Sequence, residues 1–392
     1  MNVKKILLIL LLTVLLTVSA VAADGETIDS AAFAPITPEV IGQGGSFTAV
    51  SHGYNALFTN PAGFAREGGS FTLLSATGTS FFIPKEEDIS NFEEIASAES
   101  DTEIEDALLS IGPLITGNGI GAAANAGLGY VKNGLGLGFV VNGDFYGRGE
   151  TALGTAIDAV MDWAVIGGYA LPLEFGPLTA YLGGDLRYML RTEARDVAIV
   201  DFASAASSSS DPQFPVLSGS ALAFDFGTIF EIGKWSVGLS ARDIGGTALD
   251  YSEFTADELQ DSFSFSGGGD EVAETYVIPM VVSFGAAYDP DNFILPSIFL
   301  DPVFHMEYRK TYYQGDEAKE DSFWTGVHMG MEMKIIRFLK ARAGINQGYA
   351  TFGVGAKLLF LDLNASYFVR EMGRYAGVQP NEGFTLEAAI RF

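Results

Sequence analysis

From residue 70 onward the chain alternates apolar and polar residues in one segment after another. The final segment, GFTLEAAIRF, sets Phe384, Leu386, Ala388, Ile390 and Phe392 on one side and Thr385, Glu387, Ala389 and Arg391 on the other. A two-residue period is that of a strand whose faces meet different surroundings. Free ends fray, so an alternating strand that runs to the last residue must be held along its length. Related segments occupy 70–82, 120–131, 135–147, 160–171, 178–192, 220–232, 235–244, 275–288, 299–312, 323–335, 338–346, 350–360, 361–371 and 383–392. These are about 14 strands of roughly membrane-spanning length.

Their connections come in two kinds that take turns. Tight links such as Lys132-Asn133-Gly134, Gly233-Lys234 and Ile336-Arg337 alternate with long ones such as 83–119, 148–159, 193–219 and 245–274. Two links depart from this: 289–298 is long for a turn and 346–349 short for a loop. Short turns at one end and long loops at the other describe an all-β, transmembrane antiparallel barrel, with the tight links expected at the end where both termini lie. Periodicity alone leaves a soluble β-sandwich open. A closed wall leaves no unpaired edge, so 383–392 is expected to pair with 70–82 and close it.

Composition agrees. Forty-seven glycines and positive mean hydropathy come with no stretch beyond residue 22 that is long and apolar enough for a spanning helix. Lys4 and Lys5, the apolar run Ile6–Val18 and the small residues Ala20-Val21-Ala22 form an export signal expected to be cut before Ala23. Without cysteine there is neither a lipid-anchor site nor a disulfide, and a metal site would rest on His52, His305, His328 and carboxylates. No metal or other cofactor is expected. A net charge of −27 argues against nucleic acid. The acidic excess lies before Asp301, with ten acidic residues against one basic in 83–119 and eight against none in 245–274. Apolar residues Phe92, Ile95, Ile104, Ala107, Leu108 and Ile111 imply amphipathic helix in the first of these loops, and Thr255 with Glu258 forms a capping-box pattern in the second.

Alternation assigns faces. Val327, Met329, Met331 and Met333 oppose His328, Glu332 and Lys334; Leu361, Leu363, Ala365, Tyr367 and Val369 oppose Asp362, Asn364, Ser366 and Arg370. In the third strand Leu135, Leu137, Phe139 and Val141 face lipid, leaving Gly134, Gly136 and Gly138 inward, followed by Asn142 and Asp144. A glycine-lined wall lets another backbone approach closely.

The segment before the wall reads IGQGGSFTAVSHGYNALFTNPAGFAREGGSF. Gly42, Gly44 and Gly45 permit sharp bends, Asn60-Pro61 starts a turn and Gly63 stops a helix. With Asn60-Pro61-Ala62-Gly63 just before the first strand, this stretch resembles the N-terminal plug of FadL-type outer-membrane transporters and their PorV/PorQ relatives. It differs from that pattern at Ser51-His52-Gly53-Tyr54, where relatives commonly carry an acidic pair. The resemblance implies a signal peptide at 1–22, a lumenal hatch at 23–68 and a barrel at 69–392. It also implies passive transport of hydrophobic molecules such as long-chain fatty acids across a bacterial outer membrane by a monomer. Gly44, Gly45 and Asn60 to Gly63 would form the hatch, and Asn142-Gly143-Asp144 a lateral opening in the third strand. Phe392 resembles the signal read by the barrel assembly machinery. Outer-membrane lipids are the expected surroundings. Inward parity picks Arg187, Arg191, Arg309, Lys340 and Arg342 as candidates for a ligand carboxylate. An enzyme is not expected: no G-x-S-x-G appears, and Gly353-Val354-Gly355-Ala356-Lys357 lacks phosphate-loop spacing. The alternative drawn from the same resemblance is a PorV-like docking or shuttle component of protein secretion.

Overall fold

The structure, a computed structural model, describes residues 26–392 apart from 99, 208–213, 257–268, 291–300, 316–321, 337 and 374. The signal segment, Glu258 of the capping pattern and most of the 289–298 link therefore lie outside the described residues. Fourteen strands form the wall: β1 Ser70–Ser80, β2 Ile120–Lys132, β3 Leu135–Gly147, β4 Ala156–Phe175, β5 Leu178–Ala198, β6 Pro215–Ile232, β7 Trp235–Arg242, β8 Met280–Tyr288, β9 Asp301–Tyr312, β10 Val327–Ile336, β11 Leu339–Asn346, β12 Tyr349–Leu358, β13 Leu361–Glu371 and β14 Pro380–Arg391. Each pairs antiparallel with its neighbours, and β14 pairs with β1 through Phe384↔Ser80, Ala388↔Ala76 and Ile390↔Leu74. The barrel is closed, as the alternation of its last segment requires. Phe392 exchanges both backbone hydrogen bonds with Phe71, at 3.0 and 2.9 Å, and its ring stacks on Phe71 and Phe360.

The period-two pattern is realised as two surfaces. Leu137, Val165, Leu186, Leu222, Leu239 and Phe284 are exposed on the outside, where lipid would cover them. The neighbours between them point inward and are largely buried. The short link at 346–349 is a true hairpin, with Gln347 at φ 54° and Gly348 at φ 94°; positive φ at both central residues is what a two-residue turn between twisted strands demands.

Several expectations change. The 275–288 segment is two strands, Thr275–Ile278 and β8, broken at Pro279. Proline has no N–H for the ladder, and there the first piece leaves the wall to pair with Thr247–Thr255. That strand, expected within a loop, also pairs with the start of β6. Residues 323–326 form a 3-10 turn ahead of β10. Thr27–Asp29 pairs parallel with Thr275–Val277, so this piece lies at the loop end, opposite the turn end where the wall itself begins and finishes. Gly134 belongs to the tight turn, at φ 86°, and not to the lumen face. The first long loop forms helices α1 Glu86–Ser97, α2 Asp101–Ser110 and α3 Gly112–Gly117. Ile104, Leu108, Ile111 and Ile115 of this loop bury against Ile157 at the start of β4 and Ala152, Ile199 and Ala203 of neighbouring loops.

Candidate functional site

Residues 33–66 run down the lumen from the loop end to the turn end. The descent is fixed by the contacts that each residue type makes. Near the top Phe33 is buried against Phe58 and stacks over the Arg187 guanidinium, 4.8 Å away. Pro38–Ile41 makes one helical turn opened by proline at its first position. Gly44 and Gly45, at φ 70° and 77°, then bend the chain against β10 and β11, where a Cβ on Gly44 would sit 2.2 Å from the Met329 carbonyl. Asn60 is completely buried. Its Oδ1 caps the Pro61–Ala65 turn through the Ala62 N–H at 3.1 Å, while its Nδ2 donates to Thr48 O at 3.0 Å and Thr228 O at 3.2 Å. Asn60-Pro61-Ala62-Gly63 is thus a capped turn pinned to the wall. Gly63 has no room for a side chain, since its Cβ would meet Ser51 O at 2.7 Å.

The wall receives this segment in two ways. On β2 and β3 its glycines make notches for apolar side chains. A Cβ on Gly127 would lie 2.2 Å from Tyr54 Oη, one on Gly136 2.6 Å from Phe64 and one on Gly138 2.8 Å from Leu57. On β9 to β13 the contacts are polar. His305 bonds Gln43 Oε1 at 2.8 Å and Ser46 Oγ at 3.0 Å, His328 bonds Gly44 O at 2.9 Å, and Ser366 donates to Pro38 O at 2.6 Å. The Glu307 carboxylate accepts from the Phe47 and Thr48 N–H groups, both at 2.9 Å. Both lumen histidines are therefore part of the packing around the segment, and among the described residues no cluster of potential metal ligands occurs.

The five cations chosen from inward parity do face the lumen, and each is already engaged. Arg187, with no exposed surface, pairs with Asp225 at 2.8 Å and Asp243 at 2.5 Å. Arg191 holds Asp162 through two bonds of 2.6 and 2.8 Å and reaches the upper segment at Ser30 Oγ and Ala31 O. Arg309 bonds Glu307 and the Gly45 carbonyl. Lys340 and Arg342 share Glu332, at 2.8 Å each, and Arg342 reaches Glu39 of the plug at 3.0 Å. Burial would raise the Glu39 pKa, but the Arg342 and Lys340 charges outweigh it and hold the carboxyl well below the usual carboxylate range.

The segment divides the lumen. Toward the loops lies a cavity of about 750 Å³ bounded by Phe33, Ile36 and Ile41 of the plug, by Phe81, Tyr146 and Phe368 of the wall, and by charged residues of both signs, Glu193, Asp243, Glu307, Arg242 and Arg309 among them. Toward the turns lies one of about 310 Å³, lined by Tyr54, Lys340, Arg342 and Arg391 among others. Asn55 borders both, and its Nδ2 donates to Glu39 at 2.7 Å. Tyr54 Oη, Asn55 Oδ1 and Arg391 Nε, all on residues bordering the lower cavity, are buried without a hydrogen-bond partner among the described residues.

Asn142, Gly143 and Asp144 lie toward the loop end of β3. The strand is paired continuously with β2 and β4 through this stretch, Asn142 facing Asn125 on one side and Asp162 on the other. The wall is closed there in this structure. Asp144 borders the upper cavity. Sequence reasoning passed over Arg370, which also borders that cavity although its inward parity was visible.

These features define an outer-membrane-type barrel of 14 strands whose lumen is filled by its own N-terminal segment. Solved structures share that architecture. The CymD monoaromatic hydrocarbon channel superposes with a TM-score of 0.50 at 10% identity, over 92% of this chain and 98% of that one. A Pseudomonas aeruginosa FadL homologue gives 0.47 at 10% identity over 94% and 99%, and the Pseudomonas putida toluene transporter TodX 0.46 at 11% over 93% and 99%. At 10% identity the likeness to the CymD channel is one of fold alone. No protein-family model matches the chain, and no curated protein matches it significantly.

Proposed function

We propose that this chain is an outer-membrane channel for passive uptake of hydrophobic small molecules, long-chain fatty acids among them. The observation that carries this reading is the partly apolar upper cavity, about 750 Å³, within the 300–1,000 Å³ usual for small-molecule sites. Its floor is a plug segment and not the wall. A ligand would enter from the loop end, rest against Phe81, Phe368 and the plug's Ile36 and Ile41, and leave when the plug moves. The hatch elements are Gly44, Gly45 and Asn60 to Gly63, and the Glu39–Asn55 bond is the contact between the two cavities that has to yield. Lateral release at Asn142-Gly143-Asp144 would need the ladders on either side of β3 to part. The chain would act as a monomer in outer-membrane lipid, placed there by the assembly machinery through its Phe392 end. Most apolar residues of the first-loop helices pack against one another and against neighbouring elements, with Ile89 and Leu109 left exposed; the small exposed apolar area supports a transport role over a PorV-like docking surface.

Mass spectrometry of compounds extracted from the full protein, purified from native membranes in a mild detergent, tests the proposal. A fatty acid or similar apolar molecule at near one per barrel is the expected result. An empty barrel copurifying with a stable protein partner would overturn it in favour of the secretion role.

A further inference from the structure

The wall carries its cations inward. Of the described lysines and arginines in wall strands, all stand on the lumen side except Lys132, beside a turn, and Lys310, near the loop end of β9. Lys310 belongs to the outward file Met306, Tyr308, Lys310, Tyr312 and lies across the ladder from Val282 of β8. It is half-buried, and it makes no hydrogen bond, ion pair or ring contact among the described residues. Arg309 and Thr311, on either side of it in sequence, face the upper cavity instead.

Aromatic side chains are held around this lysine. Ser322 opens the 3-10 turn Phe323–Gly326, its Oγ accepting from the Trp324 N–H at 3.4 Å and its carbonyl from Thr325 Oγ1 at 2.6 Å. Gly326 seats the turn on β9, where a Cβ would stand 2.4 Å from the Arg309 carbonyl oxygen and 2.9 Å from the Tyr308 ring. Phe323 is thereby stacked on Tyr308, ring centres 4.9 Å apart, with Trp324 edge-on to Phe323 at 5.7 Å. Even so, Phe323 and Trp324 are 61% and 62% exposed, and Tyr312 is 48% exposed.

An aromatic girdle is expected at the membrane boundary of such a barrel, and a lysine there can simply turn its head to water. A girdle does not require a fixed ring platform beside one uncompensated cation, in a chain of net charge −27 whose long loops are acidic. An ammonium with three donors and no carboxylate beside it suits a phosphate that arrives with a lipid. The long-loop end of a barrel faces the outer leaflet, and open ring faces offer flat apolar surface to the C–H face of a sugar. A second barrel fits less well, because a two-fold contact through this face would set Lys310 against its own copy.

We propose that Lys310, with Tyr308, Tyr312, Phe323 and Trp324, forms a docking site on the outside of the barrel for a phosphorylated glycolipid of the outer leaflet. The phosphate would rest on the Lys310 ammonium, and the sugar and acyl chains against the rings. The site lies on the far side of β9 from the lumen and does not depend on the uptake reading.

The test is native mass spectrometry of the full protein in an uncharged detergent, titrated with diphosphorylated lipid A or with phosphatidylcholine. Wild type is expected to retain lipid A. Lys310→Gln should weaken that retention by about fivefold while changing phosphatidylcholine by less than about twofold, and Lys310→Arg should stay near wild type. Heat-modifiable migration on a gel shows that each barrel has formed. Equal retention of lipid A by wild type and Lys310→Gln, or equal loss of both lipids, would overturn the site. Phosphatidylglycerol retained as tightly as lipid A, with the same dependence on Lys310, would overturn the glycolipid assignment in favour of a phospholipid phosphate. A mass of two chains that is lost in Trp324→Ala would give the face to a second copy instead.

Discussion

The plug meets two kinds of wall. Against β2 and β3 it is held by shape, with Tyr54, Leu57 and Phe64 set into spaces that exist because Gly127, Gly136 and Gly138 have no side chains. Against β9 to β13 it is held by chemistry, through His305, Glu307, His328, Arg342 and Ser366. Contacts by shape have no substitute once lost, because a void forfeits its packing outright. Polar contacts next to a wet cavity can exchange a protein partner for water. The plug is therefore expected to release from the β9–β13 side while staying seated on β2–β3.

The strongest way to break the polar side is Arg342→Ala. It removes the bonds of 3.0 and 2.8 Å to Glu39 and Glu332 and leaves both carboxylates to Lys340 alone, at 3.7 and 2.8 Å, so the cost falls at the lower end for a broken buried pair. Removing one partner of a buried pair costs about 3–5 kcal/mol, to be read from urea unfolding in detergent or vesicles. The sign of the pH dependence follows from Glu39. A depressed pKa in the folded state contributes stability above the ordinary value of 4.5 and loses it as pH falls toward the folded one. The gap between wild type and Glu39→Gln should accordingly narrow below about pH 4.5; a constant gap would show that the charge of Glu39 does not stabilise the plug.

Next in size is the shape side. In Gly138→Val the new Cβ would stand 2.8 Å from Leu57, and overpacking of this kind costs about 1–3 kcal/mol. Hydrogen exchange should then show faster exchange around residues 54–64 than around 38–47. Uniform loosening of both stretches would contradict a plug held by two independent faces.

Much of the wall was legible because one rule, alternation, governs every strand, and the closing pair at 383–392 and 70–82 followed from it. The small sheet at the loop end was not, since Thr247–Thr255 alternates weakly and the break at Pro279 lies inside a run that reads as one strand. The site was half legible. Inward parity found the lumen cations, but whether a cation is free depends on the residue across the ladder, and register is not written in one strand alone. Arg191 faces Asp162, and Arg342 faces Glu332. Arg370 faces Asn381. That difference leaves Arg370 hydrogen-bonded to Asn381 with no ion pair among the described residues, and only the pairing of β13 with β14 reveals it.

A smaller effect is expected from His305→Ala. The variant loses bonds to Gln43 and Ser46 and leaves the Gln43 side-chain oxygen Oε1 buried, at about 1–3 kcal/mol. It should quicken hydrogen exchange at residues 43–47 without disturbing 54–64. If the plug releases from the polar side during transport, this variant should also move ligand faster in spite of its lower stability. Slower uptake would place the release on the glycine side instead.

The smallest change in stability, about 0.5 kcal/mol, is expected from Asp144→Ala, because Asp144 is an exposed lumen residue with no hydrogen bond or ion pair among the described residues and interacts with Arg370 only through charge across the cavity. Asn142→Ala removes a buried amide that faces Asn125 and Asp162 across the ladders, so the double variant is the sharper probe of the wall. If ligand leaves through β3, uptake should change in the double variant and not in Asp144→Ala alone, since the ladders and not the cavity charge would control the opening. If ligand instead passes between the two cavities, neither variant should alter uptake, and Asn55→Ala, which removes the bond to Glu39, should raise it. The two routes thus predict opposite rankings of the same three variants in one assay.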